Sequence, residues 1–266
     1  MTHDKDTYLL GGEVRIYRLG FGAMRLTGQP RNFGRYPDWE GGKSVLRRAV
    51  ELGVDFIDTA LAYGPGHNEQ LVAEALHPYP SHLVIATKGG YDKSNDGTVV
   101  RDARPATLKL QVEKALQRLK TDRIDLFQLH WVDPNTPIEE SVAALESLRR
   151  SGLIRLIGLC NVTADELLRA QTVARIASVQ NRLNQAEPSA DDLVETTARQ
   201  GVAYIAYGPL GADPAKQGAP LAAAHLPGDS KTPAQAALRW LLDLAPNVVV
   251  MPGTTSIQHL EENIAA

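Results

Sequence analysis

The feature that most limits what this chain can fold into is an alternation that runs along its whole length. Short runs rich in Val, Ile and Leu are separated by longer segments whose apolar residues recur at helical spacing. Strands that alternate with helices signal βαβ units and a parallel sheet. The strand candidates are RLGFGAM (18–24), DFIDTA (55–60), LVIATK (83–88), IDLFQLH (124–130), LIRLIGLCN (153–161), IASVQN (176–181), VAYIAYG (202–208) and NVVVMPG (247–253). Eight such runs without a linker or a break in composition predict a single (β/α)8 TIM barrel domain over residues 1–266. A doubly wound sheet would bring an early G-x-G-x-x-G turn, which LGFGAMRLTG lacks. Ahead of the first barrel strand, TYLLGGEVRIYRL reads as two strands around Gly11 and Gly12, an N-terminal β-hairpin expected to cap the bottom of the barrel.

The helices between the strands carry end signals. GGKSVLRRAVELG stops on Gly53, and RPATLKLQVEKALQRLK keeps Leu108, Val112, Leu116 and Leu119 on one face. TPIEESVAALESLRRSG runs from Pro137 to Gly152, and TPAQAALRWLL opens with Thr232 as N-cap and Pro233 at the first helical position. Trp240 on that last helix reads as core packing.

Composition narrows the class of partner. A net charge of -3 provides no global positive field for nucleic acid or an anionic membrane surface. The single cysteine, Cys160, excludes an internal disulfide and reads as a small apolar filler at a strand end. The start lacks the apolar stretch of a signal peptide, and no run approaches the roughly 18 apolar residues of a membrane span, so a cytoplasmic protein is expected.

In a parallel barrel the reactive groups gather at the C-terminal ends of the strands. The second strand ends on Asp58, the third on Lys88 and the fourth on His130, each after an otherwise mostly apolar run. Taken singly, each has a plain structural account: a loop-capping Asp, a Lys reaching for solvent, a hydrogen-bonded core His. Three on adjacent strands, with Tyr63 in the loop after the first, point instead to one site. Lys88 can pair with Asp58, and its ammonium is expected to favour the Tyr63 phenolate and lower the phenol pKa. Tyr63 then serves as general acid toward a carbonyl oxygen, with His130 as a donor that positions the same oxygen. No metal site is expected.

On these segments the sequence resembles the aldo-keto reductases. DFIDTALAYG, IATKGG and DLFQLH look like that family's tetrad motifs, and the likeness continues in order through IGLCN, VQNRLN, AYGPLG and MPGTTSIQHLEEN, over nearly the whole chain. The resemblance implies hydride transfer between a nicotinamide cofactor and a carbonyl carbon, with Tyr63 as proton donor and Asp58, Lys88 and His130 around it. It also implies that Asn161 and Gln180 hold the nicotinamide carboxamide, that Tyr207 stacks on the ring, and that Gly208, Pro209, Leu210 and Gly211 pass over the pyrophosphate. Further cofactor contacts are implied from Gly22, Ala23 and Met24, from Asp58 and Cys160, and from Pro252, Gly253, Thr254, Thr255, Ser256, His259, Glu262 and Asn263 around the adenosine side. Cys160 and Gly208 stand where many members carry Ser. Gly253 stands where Lys is frequent and His259 where Arg is frequent, so the expected cofactor is NADPH with NADH as the alternative. The chain stops at Ala266, close behind EEN, which leaves an open pocket with Trp131 and Trp39 as candidate walls, joined by Phe33 and Tyr36. The expected partner is a small-molecule carbonyl substrate, and a monomer is expected. Two rivals are a Schiff-base aldolase built on Lys88 and a cofactor-sensing binding protein with little turnover.

Overall fold

The structure is a computed structural model that describes residues 6–94, 96–187, 192–211 and 232–266. It opens with β1 (Thr7–Leu10) and β2 (Val14–Tyr17), an antiparallel hairpin that turns at Gly11 and Gly12. Both glycines have positive φ, 59° and 73°, which is why that pair sits at the turn. There follow β3 (Phe21–Gly22), α1 (Trp39–Glu51), β4 (Phe56–Asp58), α2 (His67–Leu76) and β5 (Val84–Gly89). After β5 the chain makes a second antiparallel hairpin, β6 (Tyr91–Lys93) and β7 (Val99–Arg101), before α3 (Pro105–Leu119). The remainder runs β8 (Ile124–Leu129), α4 (Ile138–Arg150), β9 (Ile154–Cys160), α5 (Ala164–Gln171), β10 (Ser178–Arg182), α6 (Leu193–Arg199), β11 (Ala203–Tyr207), α7 (Pro233–Leu244), β12 (Val248–Val250) and α8 (Ile257–Ile264).

The eight strands β3, β4, β5, β8, β9, β10, β11 and β12 form one sheet in that order, with every ladder parallel. The ends of the sheet meet at a parallel bridge between Leu19 and Val250, flanked by bonds from Gly20 N to Val250 O (3.0 Å) and from Gly22 N to Pro252 O (3.1 Å). This is the (β/α)8 barrel that the alternation predicts. Each of the eight strand runs read from the sequence overlaps one of these strands; β5 and β10 run one residue further, to Gly89 and Arg182.

Two apolar cores follow from the period-2 alternation of strand side chains. One set of strand residues, including Ile57, Ile85, Phe127, Ile157 and Val179, packs outward against Val45, Leu46, Leu71, Leu108, Val112, Val142 and Leu145 of the helices. The alternate set, Phe56, Val84, Ala86, Leu126, Leu156, Ile205 and Val249, fills the barrel interior together with Leu10, Val14 and Ile16 of the hairpin. The hairpin therefore plugs the bottom of the barrel.

The helix ends agree with the sequence at α7, where Thr232 accepts from Gln235 N and Pro233 occupies the first position. In α3 the buried face is Leu108, Val112, Ala115 and Leu119, with Leu116 half-buried at its edge. Trp240 is partly buried and packs against the outer core.

Candidate active site

The same alternation sets the site. Counting two at a time from interior residues, β4 runs Phe56 to Asp58, β5 runs Val84 and Ala86 to Lys88, and β8 runs Leu126, Gln128 and His130. Four polar side chains thus face the barrel axis one layer above the apolar plug. All four are buried, so each needs partners.

Lys88 is the centre of the arrangement. Its Nζ is ion-paired to Asp58 Oδ2, and donates to Thr59 O at 3.0 Å and to Tyr63 Oη at 3.2 Å. Those contacts use all three ammonium hydrogens. The other oxygen of Asp58 accepts from Gln128 Nε2 (3.1 Å) and Gln180 Nε2 (3.0 Å). Burial pulls the Lys88 pKa down, but Asp58, Tyr63 and Cys160 together outweigh it and the net shift is upward. A raised, fully engaged ammonium is a poor amine nucleophile, which removes the structural basis for a Schiff base at Lys88.

One expectation is corrected. The Tyr63 phenol pKa is raised, not lowered, because burial in the cleft outweighs the favourable charge of Lys88, and Asp58 and Cys160 push the same way as burial. Tyr63 therefore holds its proton at neutral pH. His130 is shifted well below its ordinary value by burial and by the charges of Lys88 and Lys93, so it is a neutral imidazole. Its ring lies edge-on to Tyr63, centroids 5.9 Å apart, and its Nδ1 has no hydrogen-bond partner among the described residues. Burial pushes the Cys160 thiol up to about 12, so Cys160 is an inert thiol, as its filler reading expects.

These groups open onto a cleft of 360 Å³. Of the residues singled out in the sequence, Gly22, Met24, Asp58, Tyr63, His130, Trp131, Cys160, Asn161, Gln180, Tyr207, Gly208, Pro209, Leu210, Pro252 and Gly253 line it. Asn161 has φ 57°, a conformation Asn tolerates, and its amide donates to His130 O (3.1 Å) and accepts from Tyr207 Oη (2.7 Å). Ala23 is fully buried behind the lining, and Gly211 lies just past Leu210. Thr254, Thr255, His259, Glu262 and Asn263 do not line the cleft. They stand beyond its Gly253 end, at and along α8, which Ser256 opens by accepting from His259 N (3.4 Å).

Trp39 is the misplaced wall. It is the first residue of α1, 8% exposed, and its indole Nε1 donates to Glu74 Oε2 at 2.7 Å, with the Arg35 guanidinium 4.2 Å from the ring. Asp38 caps the helix by accepting from Gly41 N, so the helix begins well before its first buried aliphatic, Val45, and turns Trp39 into the outer core. The sequence reading missed Gln128, Tyr91, Lys93, Arg25 and Arg182. Gln128 stands two residues before His130, on the same face by strand alternation. Tyr91 and Lys93 belong to the β6–β7 hairpin, whose turn lies near Asp96-Gly97, a hairpin signal in its own right.

The residues present suit a dinucleotide. Tyr207 and the carboxamides of Asn161 and Gln180 line the cleft, and Gly253 in its wall lies four residues before the N-terminus of α8. The sequence model of the aldo/keto reductase family matches residues 18–218. A pyridoxine 4-dehydrogenase of Escherichia coli (strain K12) is 39% identical, over 98% of this chain and 92% of its own length. Among solved structures, a glycerol dehydrogenase from Gluconobacter oxydans has a TM-score of 0.85 at 26% identity, covering 99% of this chain and 91% of that one. A thermostable aldo-keto reductase in complex with the inhibitor epalrestat has a TM-score of 0.80 at 30% identity, covering 97% and 93%. The chain belongs to the aldo/keto reductase family, whose chemistry is the NAD(P)H-dependent reduction of carbonyl compounds.

Proposed function

We propose that Tyr63 is the general acid of this reductase, that Asp58, Lys88 and His130 complete its catalytic group, and that NADPH is the preferred cofactor. The observation that supports this most is the unbroken line from Asp58 through Lys88 to Tyr63 beside a neutral His130. The bound nicotinamide cofactor supplies the hydride that goes to the carbonyl carbon. Tyr63, protonated at neutral pH, gives its proton to the carbonyl oxygen. The Lys88 ammonium at 3.2 Å stabilises the phenolate left behind, and Asp58, held by Gln128 and Gln180, keeps that ammonium in place. His130, neutral, donates an N–H to the same oxygen and fixes its position.

Asn161 and Gln180 would hold the carboxamide, Tyr207 the ring face, and Gly22, Ala23, Met24, Cys160 and the Gly208–Gly211 loop the middle of the cofactor. Pro252, Gly253, Thr254, Thr255, Ser256, His259, Glu262 and Asn263 would hold the adenosine side. Support for NADPH comes from the hydroxyls and free backbone N–H groups at the start of α8, and from Arg25. The Arg25 Cγ lies 3.6 Å from where a side chain on Gly253 would begin, so it can bring a permanent cation to a position where Gly253 offers none. The family relative suggests pyridoxal, reduced to pyridoxine, as the first carbonyl compound to assay. On this reading residues 1–266 act as one domain, as a monomer, in the cytoplasm.

The test is Tyr63→Phe. General acid catalysis contributes about 10²- to 10⁴-fold, so kcat should fall by that order on any aldehyde the wild type reduces. Cofactor dissociation constants, measured by fluorescence quenching, should stay within about twofold, since by this assignment the phenol acts on the substrate oxygen. Wild-type turnover in the variant would remove Tyr63 from the role. A wild-type dissociation constant lower for NADH than for NADPH would refute the cofactor preference.

A further inference from the structure

The charges lining the cleft are unequal and unevenly placed. Its lining holds one carboxylate, Asp58, and three cations, Arg25, Lys93 and Arg182, in a chain whose net charge is -3. Asp58 is already paired with the buried Lys88, Arg182 pairs with Glu187, and Arg25 packs beside Gly253. Lys93 is different. It sits on β6, lines the cleft near enough to His130 for its charge to act on that ring, and makes no ion pair among the described residues. Two of its three hydrogens go to the backbone oxygens of Arg31 (2.6 Å) and Asn32 (3.0 Å), which ties the β6–β7 hairpin to the loop after β3 and holds the ammonium at the mouth. The third has no acceptor among the described residues.

Beside it stands an aromatic wall. Tyr91 is 5.0 Å from His130 and 6.2 Å from Trp131 by ring centroids, with the Tyr91 and Trp131 planes 34° apart. The Arg101 guanidinium lies 4.5 Å from the Trp131 ring, so one face of the indole is occupied and the ring is held in position. Burial lowers the Lys93 pKa, with Asp92 opposing, and a bound anion would restore the stabilisation that lost solvent removes.

We propose that Lys93 is a specificity-determining residue that binds an anionic substituent on a planar aryl aldehyde, whose ring lies along Tyr91 and Trp131 while its carbonyl faces Tyr63 and His130. This rests on the reductase reading of the same site. On that reading the cofactor's phosphates would lie toward Arg25 and Gly253, which would leave Lys93 for the substrate.

The experiment compares 3- and 4-carboxybenzaldehyde with the near-isosteric carbamoylbenzaldehydes, in wild type, Lys93→Gln and Lys93→Arg. It adds calorimetric titration of the cofactor complex with benzoate and with benzamide. A charge-assisted bond predicts that kcat/KM for at least one acid exceeds that of its amide by about tenfold or more, mainly through KM. Lys93→Gln should collapse that ratio toward one and weaken benzoate more than benzamide, and Lys93→Arg should restore part of it. Acids and amides reduced equally, or a ratio untouched by Lys93→Gln, would overturn the anion site and leave the reductase reading standing. Benzoate binding that depends on Lys93 in a protein that reduces none of the aldehydes would do the reverse.

Discussion

At the scale of single residues, the interior of this barrel top is a problem of charge burial solved by Lys88. Its side chain is fully buried and Asp58 is 4% exposed, so neither charge has solvent to fall back on. Removing one partner of such a pair commonly costs about 3–5 kcal/mol, because the other remains buried and charged. Lys88→Met should therefore lower stability by about that amount in chemical denaturation, and activity should fall with it because the Tyr63 phenolate loses its stabilising cation. Asp58→Asn with Lys88→Met should recover part of the stability and none of the activity. If the double variant proves no more stable than Lys88→Met, the two residues are not coupled. The pair was legible in the sequence because two polar residues closed two apolar strand runs. Gln128 was passed over, although strand alternation puts it on the face of His130, because a carboxamide carries no charge to mark it as a partner of Asp58. The sign of the Tyr63 shift was also hidden. It is a balance of burial against Lys88, and burial is set by the tertiary packing around the ring.

At the scale of elements, the fold separates support from chemistry. The eight strands and the N-terminal hairpin could be read from periodicity and from Gly11-Gly12, whereas the β6–β7 hairpin offered only the Asp96-Gly97 turn signal, because each of its strands has three residues and no apolar face. Trp39 was lost for a related reason. Its helix starts at a cap, Asp38, and the apolar spacing that marks the helix begins only at Val45. The plug makes a definite claim. Leu10 and Ile16 are fully buried, and a Cβ on Gly11 would come within 2.6 Å of Leu156 Cδ2, so hairpin and barrel interior are in direct contact. Large-to-small changes in such packing cost about 2–5 kcal/mol. Ile16→Ala should lose stability in that range, with cofactor dissociation constants unchanged within about twofold, because the bottom of a barrel serves stability and the top serves function. An Ile16→Ala variant with a wild-type midpoint would show that the hairpin is an ornament and not a plug.

At the scale of the whole molecule, the barrel depends on joining its first strand to its last, which brings residues more than 200 positions apart into contact. The backbone seam is short: one bridge at Leu19 and Val250 and a few flanking bonds, including Val250 N to Arg18 O at 2.7 Å. Arg18 reinforces it from the side chain. Its Nη1 donates to Leu242 O (3.0 Å), Ala245 O (2.9 Å) and Val248 O (3.4 Å), which ties the start of β3 to the end of α7 and the start of β12. Such a bond was beyond the reach of sequence, where Arg18 is one cation beside an apolar run. Its guanidinium is pulled down in pKa chiefly by burial, so it has given up solvent for these carbonyls. Hydrogen bonds to a charged donor contribute about 1.5–3 kcal/mol each, and three acceptors sharing the hydrogens of one nitrogen will not add. Arg18→Met should thus lose about 2–5 kcal/mol and, because loop closure between distant segments is what it supports, should slow refolding as well as speed unfolding. Lys should rescue little, since a single ammonium on a straight stem does not reproduce the guanidinium plane. Activity per folded molecule should be untouched, because Arg18 lies at the bottom of the first strand and Tyr63 at the top of the second. An unchanged midpoint in Arg18→Met would mean that the backbone bridge closes the barrel unaided; a lost midpoint with unchanged refolding would place the seam after the folding transition state.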